Sequence, residues 1–117
     1  MRELKRPLRF YRFDMMDFII QMLNDGKSVQ SNVRGNSMEP TAYDGDRILI
    51  QPINNYDELK VGQIVVIVSE DHRHFVVHRI KEIEATDRTI YEQGDNRETG
   101  SYVSFERIKG IVTEIIK

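Results

Sequence analysis

The hydrophobic positions of this chain change period once, near residue 27, and the change divides it. Before it, Met15, Phe18, Ile19, Met22 and Leu23 recur at spacings of three and four, which puts apolar side chains on one face of a helix. Asp14 is placed to cap the start, with Asp17 three residues on where a capping box usually carries Glu, and Gly26 is placed to end the run. The spacing predicts one short amphipathic helix over residues 14–25, its stripe packed on the rest of the domain. After it the period is two. Residues 28–35 (SVQSNVRG) alternate weakly, while 47–52 (RILIQP), 62–68 (GQIVVIV), 74–85 (HFVVHRIKEIEA), 88–93 (RTIYEQ) and 108–116 (IKGIVTEII) read as strands. Turn formers separate them at Asp44-Gly45, Asn54-Asn55, Glu70-Asp71, Asp87 and Gly94-Asp95. Short strands joined by turns imply a mainly β fold, an antiparallel sheet system curled or partly closed, with one helix at its start. The expected division is an arm and helix over 1–26 and a β domain over 27–117.

A chain of 117 residues makes one domain with a modest core. Its net charge of -2 sets up no overall field toward nucleic acid, and no nucleic-acid partner is expected. Zero cysteines exclude a disulfide scaffold and a thiol nucleophile. No segment stays apolar for the ~18 residues that a spanning helix needs. The nearest, 13–23 (FDMMDFIIQML), is broken by Asp14, Asp17 and Gln21 and lacks a small-residue cleavage site. The expectation is a cytoplasmic protein without a transmembrane anchor. Residues 1–12 carry Arg2, Lys5, Arg6, Arg9 and Arg12 against Glu3. They read either as a partly ordered basic arm or as an anchor for an acidic partner or an anionic surface, which makes residues 1–26 the candidate for peripheral contact at the inner membrane face.

Candidate chemistry centres on VRGNSMEPTAYDGDRILIQP, residues 33–52. A serine hydroxyl is a poor nucleophile unless a base takes its proton and donors stabilise the oxyanion. Gly35 allows close backbone approach, and N–H groups around Ser37 are placed to converge on one point. The plain alternative is a turn serine followed by proline. A base is available in His78, which by alternation shares a strand face with Val76 and Ile80, opposite Phe75 and Val77. A histidine in a half-buried strand is a structural hydrogen-bonder or a general base, and imidazole suits the second role near neutral pH. Lys81, three positions on, projects from the other face. His72 and His74 share the face of His78, but His74 and His78 would stand about 13 Å apart at ~3.3 Å per residue. That is too far for one ion, so both tip histidines are expected in solvent and neither a metal nor a cofactor is called for. In YEQGDNRETG (91–100), Asp95 either holds a loop over the site or accepts an N–H from His78, as the acid of a serine triad does.

GNSMEPT, then DGD leading into RILIQP, then LKVGQIVVI, VVHRI and QGDN, in that order, resemble the boxes of the signal peptidase and LexA-type serine peptidase superfamily. The likeness spans roughly residues 29 to 113. Any one box is weak and five in order are strong. The base in that superfamily is a lysine in bacterial signal peptidases and LexA-like repressors, and a histidine in eukaryotic-type and archaeal-type signal peptidases. VVHRI resembles the histidine branch. The resemblance implies a coiled antiparallel β fold, Ser37 as acylated nucleophile, His78 as general base and Asp95 as the aspartate of the conserved box. It also implies a nucleophile loop shaped by Met38 and Pro40, with an oxyanion hole from the backbone around Gly35 and Ser37. Two departures stand out. Where signal peptidases carry a transmembrane anchor, this sequence offers only the short helix expected at 14–25 with a basic arm before it, and the second aspartate that follows GDN in the histidine branch is replaced by RETGSYVSFE. There Glu98 is the alternative acid, and Ser101 falls near the aspartate's place.

The expected function is thus a serine endopeptidase that binds a peptide or leader segment in extended form by strand addition, with shallow pockets for small side chains. A catalytically degenerate peptide-binding module of the same fold is the alternative, motivated by the missing aspartate. A self-cleaving LexA-type regulator would need a cleavable linker and a DNA-binding head, which one helix before Ser37 does not supply.

Overall fold

The computed structural model describes residues 15–117. The basic arm and the Asp14 cap lie outside the described residues. Helix α1 runs Met15–Asn24, and its periodic stripe packs in part: Ile19 and Leu23 are buried in the core with Met22 beside them, while Met15 and Phe18, expected on the same packed face, are exposed. It ends where the left-handed residue Gly26 (φ +82°) lets the Gly26 N–H reach Leu23 O (2.9 Å) and the Lys27 N–H reach Met22 O (2.9 Å). Among the described residues no helix is long and apolar enough to cross a membrane.

The rest is antiparallel β structure. Strands β1 (Val29–Asn32), β2 (Arg47–Pro52), β3 (Ile64–Val68), β4 (Phe75–Glu84), β5 (Thr89–Gln93), β6 (Ser101–Ser104) and β7 (Ile108–Ile116) form a seven-stranded sheet. Their order is β1-β2-β7-β3-β4-β5-β6. Strand β7 inserts between β2 and β3, so the last strand of the chain joins the β1–β2 hairpin to the β3–β6 meander. Single-residue register shifts interrupt the β2–β7, β3–β7 and β4–β5 ladders. Such bulges increase twist and bend a sheet.

Strand β3 is apolar at every position because both its faces are covered. Val66 enters one cluster with Ile19, Leu23, Met38, Ile48 and Ile50. Val65 and Ile67 enter a second with Ile80, Ile90, Phe105 and Ile108. Strand β4 divides the same way, Phe75 and Val77 packing on the first cluster and Val76 and Ile80 on the second. Alternation had indicated this split. The mainly β, one-helix architecture is therefore as the hydrophobic pattern implies. Strands β2 and β7 coincide with their predicted spans, and β3, β4 and β5 are shorter by one or two residues at an end. Strand β6 was not foreseen. Its four residues, SYVS, offer only Val103 to the core and follow a polar loop, too little signal to mark a strand.

Ile80 is fully buried between β3 and β5, next to the β4 bulge. Ile80→Ala should destabilise the domain by roughly 2–5 kcal/mol through lost burial and the cavity left behind, read as a lower urea midpoint.

Candidate active site

Ser37 lies in the loop between β1 and β2. Two hydrogen bonds close the base of that loop, Val33 N–H to Asp46 O (2.8 Å) and Gly45 N–H to Val33 O (2.8 Å). Met38 anchors it from within, with 1% of its surface exposed in the first core cluster. Between them the chain turns tightly, Glu39 N–H reaching Asn36 O (3.3 Å) and Ala42 N–H reaching Met38 O (3.0 Å). The Glu39–Pro40 peptide is cis. A hydroxyl beside a core-anchored methionine is a hydroxyl held in place.

His78 comes from β4. In the β4–β5 register Arg79 pairs with Gln93 and Ile80 with Glu92, so His78 faces Gly94 and lies diagonal to Glu92 on the same side of the sheet. A Cβ at Gly94 would stand 2.6 Å from Ser37 O and 3.0 Å from His78 Nε2. Glycine there leaves the room in which the two elements meet. His78 Nε2 lies 3.0 Å from Ser37 Oγ across 41 residues of sequence. Its Nδ1 lies 2.5 Å from Glu92 Oε1, and Glu92 Oε2 accepts from the Ser101 hydroxyl of β6. An ionised carboxylate can only accept, so the imidazole proton belongs on Nδ1 and Nε2 is left to accept from Ser37. Burial works to raise the Glu92 carboxyl, but the hydrogen bonds from His78 and Ser101 outweigh it and hold the group below its ordinary value.

Asp95 is elsewhere. The Arg79 guanidinium grips it through Nε to Oδ1 (2.8 Å) and Nη2 to Oδ2 (2.7 Å), and Thr41 Oγ1 donates to Oδ2 (2.6 Å). The Arg79 hydrogen bonds lower its carboxyl, more than burial raises it, with Thr41 assisting. Of the two roles open to Asp95, the geometry matches the loop-holding one. The position against His78 Nδ1 belongs to Glu92, because a diagonal β5 neighbour reaches the ring and a residue in the turn beyond Gly94 does not. The whole GDNR segment clamps the serine loop. Asn96 N–H donates to Ser37 O (2.8 Å), Asn96 Nδ2 to Asn36 O (3.0 Å) and Arg97 Nη2 to Asn36 Oδ1 (2.9 Å). The Asp95 N–H meets Met38 Sδ at 3.4 Å.

The other candidates sort as follows. Glu98, the alternative acid, is exposed on the loop and makes no hydrogen bond to His78. Lys81 is exposed beside the bulge. His72 and His74 are exposed at the β3–β4 turn, and among the described residues no group of acids and histidines could hold a metal ion. Gly35 adopts φ +80°, a backbone that favours glycine, but its N–H donates to Asp44 Oδ1 (2.8 Å). Its own amide is therefore not an oxyanion donor. The N–H groups of Ser37 and Met38 have no acceptor among the described residues. Glu92 and Ser101 are the residues that sequence reasoning missed as a pair. The available signal was the alternation Ile90-Glu92-Gly94, which puts a carboxylate on the covered face two residues before the glycine.

Beside Ser37 and His78 opens a groove of about 700 Å³. β1 with the residues after it forms one wall and the start of β4 the other, over a floor that includes Ile48, Ile50 and Val66. Strands β1 and β4 stand three positions further apart in the sheet than neighbours do, yet line one groove, which reports how far the sheet coils.

The family described as Peptidase S24-like matches this chain over residues 10–104. Signal peptidase I T of Bacillus subtilis (strain 168) is 37% identical over 68 residues, which are 53% of this chain and 35% of that protein. The chain thus spans about a third of the length of the curated relative it matches.

Gly94→Ala should force the serine loop away from β4, since the new methyl meets backbone and not a flexible side-chain end. A crystal structure or histidine-resolved NMR should then show the Ser37–His78 hydrogen bond broken. Glu92 and Asp95 are both lowered in the folded state. Their stabilising effect is present in full above the ordinary values of 4.5 and 3.8, and is lost as pH falls through the lowered folded values. Urea titrations from pH 7 to pH 3 should show stability falling with acid, with a shallower fall in Glu92→Gln.

Proposed function

This chain belongs to the Peptidase S24-like family, and we propose that it is a serine endopeptidase acting on extended peptides, with Ser37 as nucleophile, His78 as general base and Glu92 as the acid that orients it. The observation that carries the reading is one continuous hydrogen-bonded line, Ser37 Oγ to His78 Nε2 at 3.0 Å and His78 Nδ1 to Glu92 at 2.5 Å. As Oγ attacks the scissile carbonyl carbon, Nε2 takes the hydroxyl proton and the imidazolium is stabilised by Glu92. The carbonyl oxygen, now an anion, accepts from the amides of Ser37 and Met38. Collapse breaks the C–N bond, the proton on Nε2 passes to the leaving amine, and an ester remains on Ser37. Water then attacks the ester, giving its proton to Nε2; the bond between the acyl carbon and Oγ breaks, Nε2 returns the proton to Ser37 Oγ, and the acid product leaves.

Histidine as base aligns the site with the eukaryotic-type and archaeal-type signal peptidases, and the exposure of Lys81 fits that assignment. Asp95, Arg79 and Asn96 are positioning residues that hold the serine loop on β4. Strand β1 is an edge of the sheet and borders the groove, so a peptide laid in the groove can add to it through main-chain hydrogen bonds. The non-catalytic module was motivated by the missing aspartate after GDN; Glu92 against His78, supported by Ser101, favours the catalytic reading.

A serine-directed acylating probe should label Ser37 in the parent and fail in Ser37→Ala and His78→Ala. Mass spectrometry of leader-like peptides should show cleavage with the same dependence. Glu92→Gln should lower kcat on the order of 10⁴-fold, the effect of losing the orienting carboxylate in a serine triad, while Asp95→Asn should lose less. Full turnover by Ser37→Ala would falsify the assignment.

A further inference from the structure

The groove beside Ser37 has a charge pattern that its apolar floor does not require. The chain carries 19 acidic and 17 basic residues, yet every charged side chain lining the groove among the described residues is basic: Arg34, Arg73 and Arg97. Arg34 precedes the Gly35-Asn36-Ser37 turn, and Arg73 precedes β4 on the opposite wall. Both are exposed; neither guanidinium makes a hydrogen bond or close ion pair among the described residues, though the Arg73 charge lies near enough to Asp71 to act on its carboxylate. The acid nearest in sequence to Arg73, Asp71, is engaged by the Ser69 hydroxyl (2.7 Å) and by the Arg73 backbone N–H (3.1 Å). Arg97 is different, being fixed by Asn36 Oδ1 and so a charge with a set position.

Arginines without a direct ion-pair partner beside an apolar trough favour a partner that is apolar in its middle and anionic at its margins, since cations there are repelled and a carboxylate is attracted. Building on the peptidase reading of the same site, we infer that the groove takes an extended apolar peptide bearing acidic side chains, with Arg34 and Arg73 as specificity-determining residues. The sequence of residues 1–12, with five cations against Glu3, carries the same sign as the rim.

Binding tests this without depending on turnover. Full-length Ser37→Ala is titrated, by fluorescence anisotropy, with labelled decapeptides of Ala, Val and Leu in which one Glu, one Gln or one Lys is scanned through the positions. Glu peptides should bind roughly three- to tenfold tighter than their Gln partners at low salt, Lys peptides weaker than both, and the gap should narrow at high salt. Arg34→Gln and Arg73→Gln should each shrink the preference. The Arg34→Glu, Arg73→Glu pair should reverse it toward Lys, while Lys60→Gln, away from the groove, should leave it intact. Equal binding of Glu, Gln and Lys peptides, absence of binding, or a preference that survives the double reversal overturns the inference. Charge-selective binding by Ser37→Ala with no cleavage by the parent overturns the peptidase reading and leaves this one standing.

Discussion

A hydroxyl and an imidazole that begin 41 residues apart are brought within 3.0 Å, and the rest of the site depends on that approach. It is bounded by sterics rather than by attraction. The space opposite His78 is empty because residue 94 has no side chain, and Ser37 occupies the vicinity of the missing methyl. Once the serine loop is seated, hydrogen bonds from Asn96 and Arg97 and the Asp95–Thr41 contact keep it there. The single hydrogen bond between Ser37 and His78 is thus made inside a geometry held by many others.

The seating works because the core reaches up to the site from below. Met38 follows Ser37 and is almost wholly buried, while Val77, next to His78, packs on the same cluster. One hydrophobic cluster thus anchors the backbone beside both groups. Bulges in three ladders allow the sheet to coil enough for β1 and β4 to border one trough. The family match over residues 10–104 covers every strand that contributes to the site.

Most of this was legible along the chain. Period two and turn formers marked β2 to β5 and β7 as strands; that the run IVVIV is covered on both faces emerged from the structure. Ser37 and His78 could be picked out by chemistry and neighbours. Glu92 was less legible: alternation with Ile90 puts its carboxylate on the covered face, but which residue it meets there depends on the pairing of Ile80 with Glu92, a property of register and not of local sequence. Strand β6 was hidden for a related reason. Ser101 acquires meaning only through the carboxylate beside it.

His78, Glu92 and Ser101 sit on three consecutive strands of one meander, separated by 14 and 9 residues. Contacts that close over such short loops form early and cheaply in chain entropy, whereas the clamp of Asn36 by Arg97 spans 61 residues. The line of imidazole, carboxylate and hydroxyl from His78 to Ser101 is therefore internal to one meander, whereas the serine loop is joined to it only by contacts distant in sequence.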